Sequence, residues 1–237
     1  MPNSSLYQEN YTYKDSVCHI ISDIQQGVET AKESISRNYQ ELECYIREHQ
    51  KFFYTFDPIP PPDEPLVARL MALAAQKANV GPMAAVAGVI ADLAVADMQK
   101  AGCKVAVVED GGEISAVSDR PVDVALAAGN EPLSKRFGFR LNEFPVGVAT
   151  SSGRFSHAFS FGDAEAATVF CCDAGLADAA ATAVGNVVKG PVKEGIEAGI
   201  KRGLSIPGVF GVLILYQGQV GTAGKIPQII KVTQNII

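Results

Sequence analysis

At Cys103 the hydrophobic pattern changes period, and that change limits the architecture more than any other feature of the chain. Before it, Val28, Ala31, Ile35, Tyr39, Leu42 and Ile46 recur every three or four residues within 26–52. This is the period of an amphipathic helix, with Glu29, Lys32, Glu33, Arg37, Glu41 and Glu48 on its solvated face. A short helix is expected over 66–78. An alanine-rich helix opens at Gly81-Pro82, where a first-turn proline gives up an amide that would be unpaired anyway. After Cys103, short apolar runs predict strands over 104–109, 113–117, 122–128, 146–150, 167–171 and 208–216. Asp110-Gly111-Gly112 and Gln217-Gly218 carry the chemistry of hairpin turns. Two further helices are expected over 176–189 and 191–201. Helices in separate blocks and strands joined mostly by hairpins predict an α+β fold, an antiparallel or mixed sheet core with helices packed on it.

A chain of 237 residues, 47% hydrophobic and 19% charged, has ample material for one core without a disulfide or metal staple. One domain over 1–237 is expected, with an N-terminal strand and helix over 1–57 and a motif-bearing core over 66–237. Between them, Pro58, Pro60, Pro61, Pro62 and Pro65 make 58–65 a connector. The net charge is −6 and no Lys/Arg-rich run occurs, which disfavours a nucleic-acid partner. Cys18, Cys44, Cys103, Cys171 and Cys172 form no CxxC pair and read as reduced thiols. The first residues lack the basic and apolar regions of a secretory signal, so a cytoplasmic protein is expected. The apolar stretch 80–98 carries Asp92 and Asp97, which argues for a tightly packed soluble helix and against a membrane span.

Four segments hold candidate chemistry. Asp178 and Thr182 stand four residues apart among alanines, on one helix face, as oxygen ligands for a hard cation such as Mg²⁺. The alternative makes Asp178 a first-turn charge on the helix dipole, with Thr182 bonded back to a carbonyl. Thr150, Ser151, Ser152 and Gly153 end a strand in a hydroxyl-rich turn able to present amides to a phosphate. His157 follows as a candidate general base, or as an exposed loop histidine. Gly111 and Gly112 either let a ligand approach the backbone or simply make a turn. Ala84 and Gly88 lie where small side chains admit an anion to free helix amides, or admit a second helix.

In their order along the chain these segments resemble the motifs of the ApbE family, the FAD:protein FMN transferases. Gly88 and Asp92 match the Gly-x-x-x-Asp that closes that family's glycine-alanine helix. The segment 108–113 resembles its strand and Gly-Gly turn, 149–153 its Thr-Ser-Gly turn, and 177–183 its Ala-Asp-Ala-x-x-Thr-Ala helix. Over nearly its whole length the chain is also similar to an uncharacterised cytosolic branch of that superfamily, which carries the same Val-Gly-Pro-Met-Ala-Ala-Val-Ala-Gly string. The resemblance implies Mg²⁺ held by Asp178, Thr182 and a carbonyl near Ala84, gripping the diphosphate of FAD or a related nucleotide. It further implies Thr150, Ser151 and Gly153 as phosphate neighbours and His157 as the family's histidine.

The family's lysine in the glycine-alanine motif is replaced by Ala87, and the N-terminal region has no counterpart from which flavin-ring contacts can be carried over. Three readings follow. One is a transferase of FMN or another phosphoryl group with a protein acceptor. The second is a non-catalytic flavin or nucleotide binder, and the third a structural partner in a complex. A homo-oligomer is compatible with each.

Overall fold

A computed structural model of the protein describes residues 6–125, 137–152 and 162–231. It contains an eight-stranded antiparallel sheet in the order β1-β2-β3-β4-β7-β8-β9-β10 and a three-stranded sheet in the order β11-β6-β5. The large sheet is formed by β1 (Tyr7–Tyr13), β2 (Ser16–Ser22), β3 (Ala106–Asp110), β4 (Glu113–Val117), β7 (Val146–Ser151), β8 (Ala166–Cys171), β9 (Val209–Tyr216) and β10 (Gln219–Gly224). The small sheet is formed by β5 (Val122–Ala125), β6 (Phe137–Leu141) and β11 (Gln228–Lys231). The α+β expectation holds, with an antiparallel core.

Alternation along each strand divides the large sheet between two apolar layers. Ala106, Val108, Ala149, Ala167, Val169, Val212 and Ile214 face the helices. Val107, Ile114, Ala116, Val146, Val148, Ala166, Phe170, Leu213 and Leu215 face the other way, against Val122, Val124, Phe139 and Leu141 of the small sheet. The two sheets meet edge-to-face at Phe139 and Phe170, whose ring centroids are 4.9 Å apart.

Six α-helices are described: α1 (Gln25–Glu48), α2 (Gln50–Tyr54), α3 (Leu66–Ala78), α4 (Val86–Lys100), α5 (Ala174–Gly185) and α6 (Val192–Leu204). Helix α4 lies on β3 and β4, α5 on β7 and β8, and α6 on β9 and β10. The stretch Pro82–Lys100 is long and apolar enough to cross a membrane by composition, yet it packs as a core helix against α1, α5, β3 and β4.

The structure departs from the sequence pattern at several boundaries. The long N-terminal helix breaks at His49 (φ −124°), and α2 then turns Phe52 into the core. Pro82 opens a 3₁₀ turn, Pro82–Ala85, and α4 begins only at Val86 because Ala85 is non-helical. Helix α5 begins at Ala174, two residues before the expected start, because the Asp173 side chain caps the Leu176 amide at 2.8 Å. The extended N-terminal segment is a hairpin, and its strand β2 pairs with β3. Strands β6, β10 and β11 lacked a pattern strong enough to read. Residues 126–128 of the expected strand 122–128 lie outside the described residues.

Both glycine-bearing hairpins form as expected. Asp110 pairs with Glu113 across Gly111 (φ 69°) and Gly112 (φ 114°), so both central residues have the positive φ that a two-residue turn needs. Gln217 and Gly218 do the same between β9 and β10. All five cysteines are free thiols, with Cys18, Cys103 and Cys171 buried.

Candidate functional site

The site is built where the start of α4 meets the second turn of α5. Helix α4 has no local side chain capping its first amides. The Asp178 carboxylate of α5 fills that role from 90 residues away, accepting the Gly88 amide at 3.1 Å and also a bond from the Ala87 amide. Because α5 starts at Ala174, Asp178 lies beyond its first turn, so the dipole it meets is that of α4 rather than its own. Thr182 is one turn further along the same face, half-buried. Its hydroxyl has no hydrogen-bond partner among the described residues, so the back-bonded reading of this threonine does not hold.

Close backbone packing produces this arrangement. A Cβ on Gly88 would stand 2.2 Å from the Ala174 carbonyl oxygen, and one on Gly147 would stand 2.1 Å from the Asp173 carbonyl carbon. Only glycine at these positions lets α4, α5 and β7 touch through their backbones. Asp92 then locks the contact. Its Oδ1 accepts the Ser115 hydroxyl at 2.6 Å and the Ala174 amide at 3.0 Å, and its Oδ2 accepts the Gly175 amide at 2.8 Å. Burial pushes its carboxyl up to about 6, against the opposing pull of these three bonds. Asp92 is thus a positioning residue, holding the helix that carries Asp178 and Thr182. Asp92→Asn would set an amide NH₂ against one of the two backbone N–H groups, Ala174 or Gly175, that the carboxylate now accepts, and is expected to lower stability by about 2 kcal/mol. A fall in the urea midpoint at constant m reads this; an unchanged midpoint would reject the positioning role of Asp92.

The remaining acids come from the β3–β4 hairpin. Glu113, like Ser115 and Val117, alternates with Ile114 and Ala116, which places it on the helix face with Asp110 beside it. Asp110 is buried and accepts the Tyr39 hydroxyl at 2.8 Å and the Ser16 hydroxyl. Burial raises the Glu113 carboxyl well above the usual range, and Asp178, Asp110 and Glu109 push it further. Burial also raises Asp178 to about 8, with Asp110 and Asp92 adding to it and the Gly88 amide opposing it. The Asp178 and Glu113 carboxyls thus feel each other's charge, and both are disfavoured as anions when no cation is near, although no three His, Cys, Asp or Glu side chains cluster as a metal site among the described residues.

The structure brings Gly88 to Asp178, with Thr182 one turn further along α5, Glu113 at the end of the Gly111-Gly112 turn within electrostatic range of Asp178, and Ala84 in the 3₁₀ turn before α4. Thr150 is different. Its hydroxyl pairs with that of Thr168 at 2.9 Å, and both residues alternate with the helix-facing Ala149, Ala167 and Val169. The Thr150 side chain therefore lies on the sheet face away from Asp178, while Ser151 shares the face of Ala149. Ser152 is buried at the end of β7. Gly153 and His157 lie outside the described residues. Glu113 closes the 108–113 motif but is not among its candidate site residues, although its alternation with Ile114 and Ala116 is a signal that could have placed it on the helix face.

The family model described as "AbpE bacteria" matches residues 10–204. A UPF0280 protein of Methanosarcina acetivorans is 40% identical over 225 residues, covering 94% of this chain and 88% of that protein. A UPF0280 protein of Methanococcus vannielii is 37% identical over 231 residues, covering 95% and 94%. The chain belongs to the UPF0280 branch of the ApbE-like superfamily. Its fold is that of the apo flavinyl transferase ApbE of Pseudomonas stutzeri, at a TM-score of 0.62 and 13% identity over 93% of this chain and 94% of that one. The ApbE protein of Thermotoga maritima matches at 0.59 and 13%, over 93% and 97%. In this UPF0280 chain the helix pair that carries Gly88 and Asp178 is therefore part of a shared scaffold, whereas chemistry must be argued from the side chains themselves.

Proposed function

We propose that this protein binds the diphosphate of a flavin or related nucleotide with Mg²⁺, and that it transfers FMN or another phosphoryl group to an acceptor. The observation that carries this reading is Asp178, a carboxylate held against the first amides of α4, with the Thr182 hydroxyl one turn away on the same face and unpartnered among the described residues. Hard oxygen donors of this kind fit Mg²⁺, which completes its shell with waters and phosphate oxygens. The raised Asp178 and Glu113 carboxyls fit it too, since a divalent cation supplies the charge these groups lack. Bound there, the metal would neutralise charge on the diphosphate.

The chain's own part is to position. The Ala87 and Gly88 amides hold the Asp178 carboxylate with the positive end of α4 behind them, and the small residues Ala84, Ala87 and Gly88 would let phosphate oxygens come up beside it. In the transfer an acceptor hydroxyl oxygen bonds to the FMN phosphorus, the diphosphate bridge breaks, AMP leaves, and the hydroxyl proton passes to a base, for which His157 is the candidate. The expected partners are the nucleotide and a protein acceptor, in the cytoplasm.

A second reading has a specific support. Ala87 stands where the ApbE motif has lysine, so a cation that would meet the phosphates is missing. A flavin or nucleotide carrier that keeps the grip without turnover is consistent with that loss. Titrating the purified protein with FAD, with and without Mg²⁺, and then assaying AMP separates the two. Metal-dependent binding with AMP release is the expected result. Binding without AMP favours the carrier, and no metal-dependent binding rejects the site.

A further inference from the structure

The large sheet ends in two open edges, β1 and β10, and they are guarded differently. Beside β1 stand the ion pairs Lys32–Glu9, Lys32–Glu29 and Lys14–Glu43, a charged border of the kind that keeps a sheet edge from taking another strand. Strand β10 has no such border. Its six residues, Gln219 to Gly224, are uncharged and free of proline, and Val220 is 54% exposed. Among the described residues no strand pairs with its outer side. Gln219 flanks a two-residue turn opposite Tyr216, so Gln219, Gly221 and Ala223 exchange backbone bonds with β9. Val220 and Thr222 therefore turn their N–H and C=O groups outward.

Helix α6 runs along this edge. A Cβ on its Gly199 would be 2.4 Å from Ile214, and one on Gly203 2.5 Å from Val212, so its glycines rest on β9. A Cβ on Gly221 of β10 would be 2.2 Å from Ile196 and 3.4 Å from Ile200, so the helix sits astride β9 and β10. Val192, Ile196, Ile200 and Leu204 recur every four residues along the β10 flank. The first three are half-buried and Leu204 is 42% exposed.

We infer that the β10 edge recognises a second copy of this chain, the two strands pairing antiparallel about a two-fold axis at Gly221. Val220 then opposes the partner's Thr222, and Thr222 the partner's Val220, which gives four backbone hydrogen bonds and two pairs of β-branched side chains. Gly221 meets its own copy where the strands come closest, with Cα atoms about 4.5 Å apart. Two strand spacings of about 4.8 Å separate the β9–β10 gap beneath one α6 from that beneath the other, about 10 Å in all. Helices pack at about 8–10 Å. One partner thus satisfies both the open backbone groups and the apolar flank of α6, whereas an isolated foreign strand would leave that flank bare. Charge agrees, since β10 meets itself without setting like charges opposite each other, and the β1 edge does not.

Area sets the strength. The strip is about 20 Å long, by thirteen helical or six extended residues, and about 20 Å tall, one helix diameter on one sheet layer. That is roughly 400 Å² on each partner, half the ~800 Å² of a standard interface, so a weak dimer that dissociates on dilution is expected.

Sedimentation equilibrium of the full chain over a range of concentrations is expected to show a reversible monomer–dimer equilibrium. Thr222→Pro removes an outward N–H, and Val220→Lys sets two lysines diagonally across the axis. Each is expected to weaken the dimer about tenfold or more, as is Leu204→Lys on the α6 flank. Thr12→Pro makes the corresponding change on β1, where the turn Lys14-Asp15 leaves Thr12 facing outward, and is expected to leave the dimer intact. Circular dichroism checks each fold, and Val220→Lys decides if Thr222→Pro does not fold. A wild type that stays monomeric overturns the inference. So does a dimer that Val220→Lys leaves unchanged, or one that Thr12→Pro breaks.

Discussion

Asp178→Asn is expected to stabilise the metal-free protein at pH 8 and to abolish its Mg²⁺-dependent binding of a diphosphate. The two effects have one cause, a carboxylate placed where its charge has no cation to meet. Its folded pKa of about 8 lies above the unfolded value of about 3.9, so between these values the native state holds a proton that the unfolded chain has released. The stabilisation this gives is complete below about pH 4 and is lost as pH rises through 8. Asparagine keeps an oxygen for the Gly88 amide and has no charge to disfavour, so the variant should lose this pH dependence. At pH 8 its melting temperature should exceed the wild type's by about 4–8 °C, for a gain of about 2 kcal/mol.

Binding should weaken by at least about 100-fold, more than the loss of an outer partner of a metal site costs. Mg²⁺ should also raise the wild-type melting temperature more at pH 8 than at pH 5, since a metal binds the deprotonated ligand. A variant that is less stable at pH 8, or that still binds with Mg²⁺, would make Asp178 a helix cap and nothing more.

Gly88→Ala is expected to damage the fold strongly, because the added methyl has only backbone to meet. The new Cβ would meet three backbone atoms, the Ala174 carbonyl oxygen at 2.2 Å, its carbon at 2.5 Å and the Gly175 nitrogen at 2.8 Å. None of these can swing aside as a side-chain tip would, so α4 and α5 must separate. Separation breaks the Asp92 bonds to Ala174 and Gly175 and the Asp178 bond to Gly88 together. A loss of about 3–5 kcal/mol is expected, read as a large drop in the urea midpoint or as failure to accumulate folded protein. By contrast, Gly190→Ala puts a Cβ in open space, and only its positive φ of 77° works against it. A Gly88→Ala protein as stable as Gly190→Ala would show that the two helices do not meet as described.

Much of this architecture can be read from local rules. The three- and four-residue spacing of Val28, Ala31 and Ile35 gives α1, and the Asp-Gly-Gly and Gln-Gly pairs give the hairpins, because periodicity and positive φ are properties of neighbouring residues. The ends of elements were less legible where distant residues set them. Ala85 leaves the helix because the turn before it is fitted between α3 and α5, which no local propensity reports.

Sequence alone determined that a block of helices precedes Cys103 and that most strands follow it, that Asp178 and Thr182 share a helix face, and that small residues crowd the start of α4. Only the tertiary structure decided that Asp178 answers the amides of α4 instead of its own helix, and that Glu113 turns toward it while Thr150 turns to the other side of the sheet. Spacing fixes which face a side chain takes within its own element. What that face meets depends on how two helices and a sheet close-pack, and here that packing joins groups 90 residues apart through hydrogen bonds of about 3 Å.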